Sequence, residues 1–174
     1  MYKTTEATAQ NRTSVERTDR ELIVARRFDA PARLVYEAWT KPDLFMRWWA
    51  PKSSGMRLLS CDMDVRTGGG YRLEFGQDKS SSMAFFGKYL EVTAGSRLVW
   101  TNDEGENGAV TTVTFEETGG RTLLKFRELY SSKEALDEAF VGMEGGMPEQ
   151  LDQLDELLGS LAARPEAPQS PVST

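Results

Sequence analysis

Residues 109–129, AVTTVTFEETGGRTLLKFREL, decide the fold. Val113 and Phe115 share one face of the first half, and Leu124 and Phe126 share one face of the second. A spacing of two is the period of a half-buried strand, and Thr118-Gly119-Gly120 between the two runs is a hairpin signal. Working back toward the N-terminus, residues 97–102 (RLVWTN), 83–92 (MAFFGKYLEV), 71–76 (YRLEFG) and 57–65 (RLLSCDMDV) also read as strands. Polar or glycine-containing turns divide them: Asp103–Gly108, Ala94-Gly95 and Gly68-Gly69-Gly70. Six consecutive strands joined by short loops predict an antiparallel meander. Side-chain direction is hardest to read in 57–65 and 83–86, where apolar residues occur at both parities.

Beyond the hairpin the period changes. Residues 133–143 (KEALDEAFVGM) put Leu136, Phe140 and Met143 on one helical face, Gly145-Gly146 loosens the backbone, and Pro148 suits the first residue of a fresh segment. Leu151, Leu154, Leu157, Leu158 and Leu161 then form a stripe, with Asp152, Gln153, Asp155 and Glu156 opposite. Before the meander, residues 21–28 (ELIVARRF) read as a strand and Asp29 as an N-cap for a helix over 32–40. Pro42 ends that helix, and 43–49 read as a second short one.

The layout predicts an α+β fold: a curved seven-stranded antiparallel sheet wrapped around a long C-terminal helix, with two short helices after the first strand. The domain spans 20–161. Residues 1–19, mostly polar, and 162–174, with three prolines, are expected to be flexible. A straight helix lying across a curved sheet cannot touch it everywhere. The space left over predicts an apolar cavity, where small ligands bind.

Composition narrows the function. A net charge of −6 argues against nucleic acid and against an anionic membrane surface as partners. No run of 18 apolar residues suggests a membrane span, and the N-terminus carries no apolar signal segment. With the lone Cys61, this predicts a cytoplasmic setting. There is no histidine, which removes Ser-His-Asp and Cys-His catalysis and most zinc chemistry. No cofactor and no metal are expected.

The candidate ligand-contacting residues follow from parity. Tyr71, Leu73 and Phe75 share a face, as do Phe85 and Tyr89, and Trp100, Phe115 and Phe126 continue it. Trp48 and Trp49 point about 100° apart on a helix, so one should anchor the short helices and the other face the cavity rim. Phe140, Met143 and Met147 would close the cavity from the C-terminal helix. Three residues are candidates for proton transfer: the hydroxyls of Tyr71 and Tyr89, and Glu128 if it is drawn inward with Phe126. Asp64 and Arg66, two apart on a strand, suit mutual pairing beside the glycine turn, and Asp62 and Asp64 lack a third ligand for a metal.

Six motifs occur in order over about residues 20–161: Ala30-Pro31 leading into LVYEAWTKP, Trp48-Trp49-Ala50-Pro51, DVRTGG at 64–69, GKYLEV at 87–92, RLVWT at 97–101, and the closing GMEGGMPEQLDQLDELL. The series resembles the START-like (SRPBCC) superfamily, in the branch named after the heat-shock protein 90 ATPase activator homologue. The resemblance implies the helix-grip fold. It implies little about activity, since the superfamily includes lipid carriers, hormone receptors, polyketide cyclases and co-chaperone domains. Where this branch commonly has Gly-Trp at the start of the long helix, this chain has Gly146-Met147, which would reshape the cavity mouth.

The expected function is binding of a small hydrophobic or amphipathic ligand between sheet and helix, without catalysis. The alternatives are a cyclase- or hydratase-type enzyme using Tyr71, Tyr89 or Glu128, and a co-chaperone-like interaction module. Monomer and homodimer both stay open, because an antiparallel sheet leaves edges that can pair.

Overall fold

Gly119 and Gly120 both adopt positive φ, 61° and 80°, between the paired residues Thr118 and Arg121. A two-residue loop with both central residues in that region is the turn whose twist matches antiparallel strands. It joins β7 (Val110–Thr118) to β8 (Arg121–Leu129). Residues 13–103, 108–143 and 146–163 are described by a computed structural model. Upstream lie β3 (Arg57–Met63), β4 (Gly70–Gly76), β5 (Ser82–Thr93) and β6 (Arg97–Thr101), each antiparallel to the next. β2 (Glu21–Phe28) pairs with β8, and β1 (Ser14–Arg17) pairs with the free edge of β2. The sheet order is β1-β2-β8-β7-β6-β5-β4-β3.

The sheet therefore has eight strands where the sequence predicts seven. The additional strand, SVER, is exposed along its whole length and lies within the segment expected to be flexible. It has no apolar face to betray it; backbone pairing with β2 holds it. Register irregularities between Leu58 and Ser60 and between Tyr89 and Glu91 bend the sheet, as bulges do.

Helix α1 (Ala32–Thr40) follows β2, and Pro42 opens the one-turn helix α2 (Pro42–Phe45). Asp29 does not cap α1. The first helical amide, Ala32 N, donates instead to Glu117 Oε1 at the far end of β7, 2.9 Å away. α2 is also shorter than the helix expected to residue 49. Its onward carbonyls are taken by side chains of the C-terminal helix: Trp48 O and Ala50 O each accept from Gln153 Nε2 at 2.9 Å, and Trp49 O accepts from Gln150 Nε2. Beyond Phe45 the turn tightens: Arg47 N and Trp48 N bond three residues back, to Leu44 O at 3.0 Å and Phe45 O at 3.3 Å, a spacing closer than that of an α-helix.

Helices α3 (Lys133–Met143) and α4 (Gly146–Ala163) end the fold. Leu151, Leu154, Leu157 and Leu158 are buried, at roughly 1.5–3 kcal/mol each. α4 packs against α1 and β2, at one side of the sheet. Arg26, buried on β2, reaches Asp152 and Asp155 on this helix. Gln153, expected on the polar face, is only 9% exposed, because the loop after α2 folds over it. With most of α4 resting on the β2 side, only its first turns, around Met147 and Gln150, reach over the face of β3–β6. No helix among the described residues is long and apolar enough to cross a membrane.

Candidate functional site

A cavity of about 240 Å³ lies over the concave face of β3–β6. Strand parity sends Leu73 and Phe75 of β4, Phe85 and Tyr89 of β5, and Trp100 of β6 into its wall, with Phe126 of β8 beyond them. Met147 and Gln150, one helical turn apart on α4, close it from above, and Trp49 closes it from the loop. Phe85 is 38% exposed while lining the wall, which puts the opening beside it.

Two candidates do not reach the cavity. Trp48 is fully buried under α1, where its indole N–H donates to Ala38 O at 2.9 Å. Trp49 stacks on Phe45 with ring centroids 4.8 Å apart and takes the wall position. Phe115 faces inward but packs edge-on against Tyr36 of α1, 5.4 Å away, so the helix covers it. The side chains of Phe140 and Met143 lie outside the described residues.

Six wall residues were not singled out from the sequence: Trp39, Phe45, Leu58, Met63, Asn102 and Gln150. Trp39 is the hub. Its ring lies between 4.9 and 6.4 Å from those of Trp48, Trp49, Trp100, Phe126, Phe45 and Phe115. Its indole N–H meets no hydrogen-bond acceptor among the described residues, and the faces of the surrounding rings are weak acceptors.

One end of the cavity is polar. Tyr71 OH donates to Thr101 O at 2.7 Å and lies 3.3 Å from Asn102 Oδ1. Asn102 Nδ2 donates to Ala109 O at 2.8 Å and to Thr111 Oγ1 at 3.0 Å, which fixes the orientation of the amide. Thr111 Oγ1 donates in turn to Glu128 Oε2 at 3.0 Å, and Tyr130 OH donates to Glu128 Oε1 at 2.5 Å. Glu128 is 8% exposed and lines the wall. Its inward direction follows from β8, where Thr122, Leu124, Phe126 and Glu128 are all buried at a spacing of two. Burial, with the Glu128 charge and hydrogen bond, pushes the Tyr130 hydroxyl far above the ordinary phenol range. Tyr130 is thus a fixed donor to the carboxylate.

Tyr89 is likewise raised, chiefly by burial and then by Cys61, Tyr36 and Asp64, so its phenol stays protonated near neutral pH. Asp64 instead pairs with Arg66, whose Nε donates to both carboxylate oxygens at 3.0 Å. No cluster of three or more metal-ligating side chains occurs among the described residues.

Cys61, half-buried on β3, is pushed up to about 11 by burial and by the neighbouring Asp62 carboxylate. A raised thiol holds less thiolate at any pH below that value, and the thiolate is the reactive form. Iodoacetamide at pH 7 is expected to alkylate Cys61 roughly a hundredfold more slowly than an unperturbed thiol. Labelling at the rate of free cysteine would show the thiol to be open and unperturbed.

A family model described as "Activator of Hsp90 ATPase homolog 1-like protein" matches residues 29–159. No curated protein matches the chain. A solved structure from Rhodobacter sphaeroides is similar at TM-score 0.78 and 21% identity, covering 86% of this chain and 99% of that one. One from Nitrosomonas europaea gives 0.75 and 24%, covering 86% and 100%. An AHSA1-like protein from Aeromonas hydrophila gives 0.64 and 20%, covering 85% and 99%. These likenesses concern the fold alone.

Proposed function

The chain belongs to the activator of Hsp90 ATPase homolog 1-like family, whose START-like fold suggests a ligand-binding or co-chaperone module, and from that premise we propose that it binds a small hydrophobic or amphipathic molecule in the cavity between sheet and helix. The observation that carries this reading is the cavity itself. Interiors of this kind are normally filled to crystal-like density, and about 240 Å³ of space walled by aromatic rings is a large departure. An engineered apolar cavity of about 150 Å³ takes up benzene, so this one suits a molecule of about ten heavy atoms. The partner in this reading is a small molecule rather than nucleic acid or a membrane, and the setting is cytoplasmic.

The test is a titration with propylbenzene, followed through the methyl signals of isotope-labelled methionines. Met63 and Met147 line the cavity, whereas Met46 is exposed elsewhere. Saturable shifts of Met63 and Met147, with Met46 unmoved, are the expected result. An unresponsive Met63 and Met147 at the solubility limit of the probe would overturn the reading.

A second reading is supported by one observation: Tyr71 and Glu128 are joined through Asn102 and Thr111 at the same end of the cavity. The network holds both groups at one end of the cavity, where each could exchange a proton directly with a substrate in a cyclase- or hydratase-type reaction. A turnover lost in both Tyr71→Phe and Glu128→Gln, with the fold retained, would favour it over simple binding.

A further inference from the structure

The cavity wall is chemically lopsided. Among its described residues Glu128 carries the only formal charge, and neither lysine nor arginine is present. The remaining polar groups are the Tyr71 and Tyr89 hydroxyls and the amides of Asn102 and Gln150. The Thr111 and Tyr130 hydroxyls hydrogen-bond to the two carboxyl oxygens of Glu128, at 3.0 and 2.5 Å. Those two hydroxyls point their hydrogens at it, so they hold it in place as an acceptor.

Sheet register puts aromatic surface beside this charge. Glu128 pairs with Thr111, Thr111 with Trp100, and Trp100 with Tyr89, forming one row across β8, β7, β6 and β5. Adjacent strands lie about 4.8 Å apart, so the Trp100 backbone is roughly 10 Å from that of Glu128. Phe126, two residues before Glu128 on the same face, also lines the wall. Aromatic faces attract cations and do nothing comparable for anions.

We propose that the cavity selects molecules with an apolar body of about ten heavy atoms and a single cationic, hydrogen-donating head, the head meeting Glu128 and the body lying against Trp100 and Phe126. This deepens the ligand-binding reading above and rests on it. An anionic amphiphile, such as a fatty acid, would bring its carboxylate to the one buried negative charge on the wall and is disfavoured.

The test compares four probes of nearly equal size: 3-phenylpropylamine, 3-phenylpropanol, 3-phenylpropanoate and propylbenzene. Affinities are read at pH 7 from the Met63 and Met147 methyl shifts. The ammonium is expected to bind at least tenfold more tightly than the alcohol, and the carboxylate most weakly of the four. Glu128→Gln keeps the side chain's size and is expected to bring ammonium and alcohol to within about threefold of each other. The wild-type series is decisive by itself if that variant fails to fold. Alcohol and propylbenzene binding as well as the ammonium would overturn the charge inference while leaving the cavity reading intact. A cavity that takes none of the four would overturn both.

Discussion

Replacing Gln153 with leucine is expected to lower the free energy of unfolding by about 2–4 kcal/mol. Gln153 Nε2 donates to Trp48 O and Ala50 O at 2.9 Å each, and its Oε1 accepts from Lys52 N at 2.8 Å. Leucine is of similar size and contributes at most about 1.5 kcal/mol by apolar burial. Against this, three backbone groups lose their partner in a site that is largely closed to water, at about 1–3 kcal/mol each. Gln153→Glu should also fail, since it turns an oxygen toward two carbonyls that need a donor. Urea unfolding measures both variants. A loss below about 1 kcal/mol would mean that water reaches those groups once the glutamine has gone. The same loop carries Trp49, so the leucine variant should also bind propylbenzene more weakly.

Gly87→Ala is expected to cost at least about 3 kcal/mol or to prevent folding. A Cβ there would sit 1.9 Å from Thr101 O and 2.8 Å from Thr101 C, distances no real methyl group tolerates. β5 and β6 would have to part locally. That movement breaks Lys88 N to Thr101 Oγ1 at 2.9 Å and Asp103 N to Phe86 O at 2.8 Å. It also displaces the carbonyl that accepts the Tyr71 hydroxyl, so the polar end of the cavity would go with it. Gly159→Ala is the control. It adds a methyl in open space on α4, and the higher helix propensity of alanine should stabilise by about 1 kcal/mol. Equal stabilities for the two variants would show that the sheet yields at Gly87 without cost.

The alternation on β4, β5, β6 and β8 was legible because one face of the sheet is buried, and parity then assigns every second residue. It assigned Glu128 as well as the aromatics. Parity failed on β3. The irregularity between Leu58 and Ser60 shifts the register, so Leu58 and Met63, at opposite parities, both reach the cavity. A bulge has no reliable signature in a run where apolar residues stand at both parities. Phe115 has the right parity and the wrong neighbour: strand period gives the face, and the placement of α1 decides what covers it. Trp39 was readable as a buried helix residue, but its place at the cavity depends on how that helix crosses the sheet. Asn102 and Gln150 carry no compositional mark at all. Their roles come from carbonyls that only the folded chain brings near them. Gln153 was misassigned for the same reason, since helical periodicity knows nothing of a loop folding over the polar face.

The seam between β2 and β8 joins Glu21 to Leu129 and Phe28 to Thr122. Every other neighbouring pair of strands in the sheet is consecutive in sequence. During synthesis the hairpins from β3 to β8 can therefore close as they emerge, whereas β2 must wait for roughly a hundred more residues. At about 5–20 residues per second this delay is on the order of 5–20 s. For that time Leu22, Val24 and Phe28, all buried in the finished sheet, lack the β8 flank, and only the short, exposed β1 is at hand to pair with their strand. The order of translation makes Glu21–Phe28 the segment of this chain most in need of shelter while it is being made.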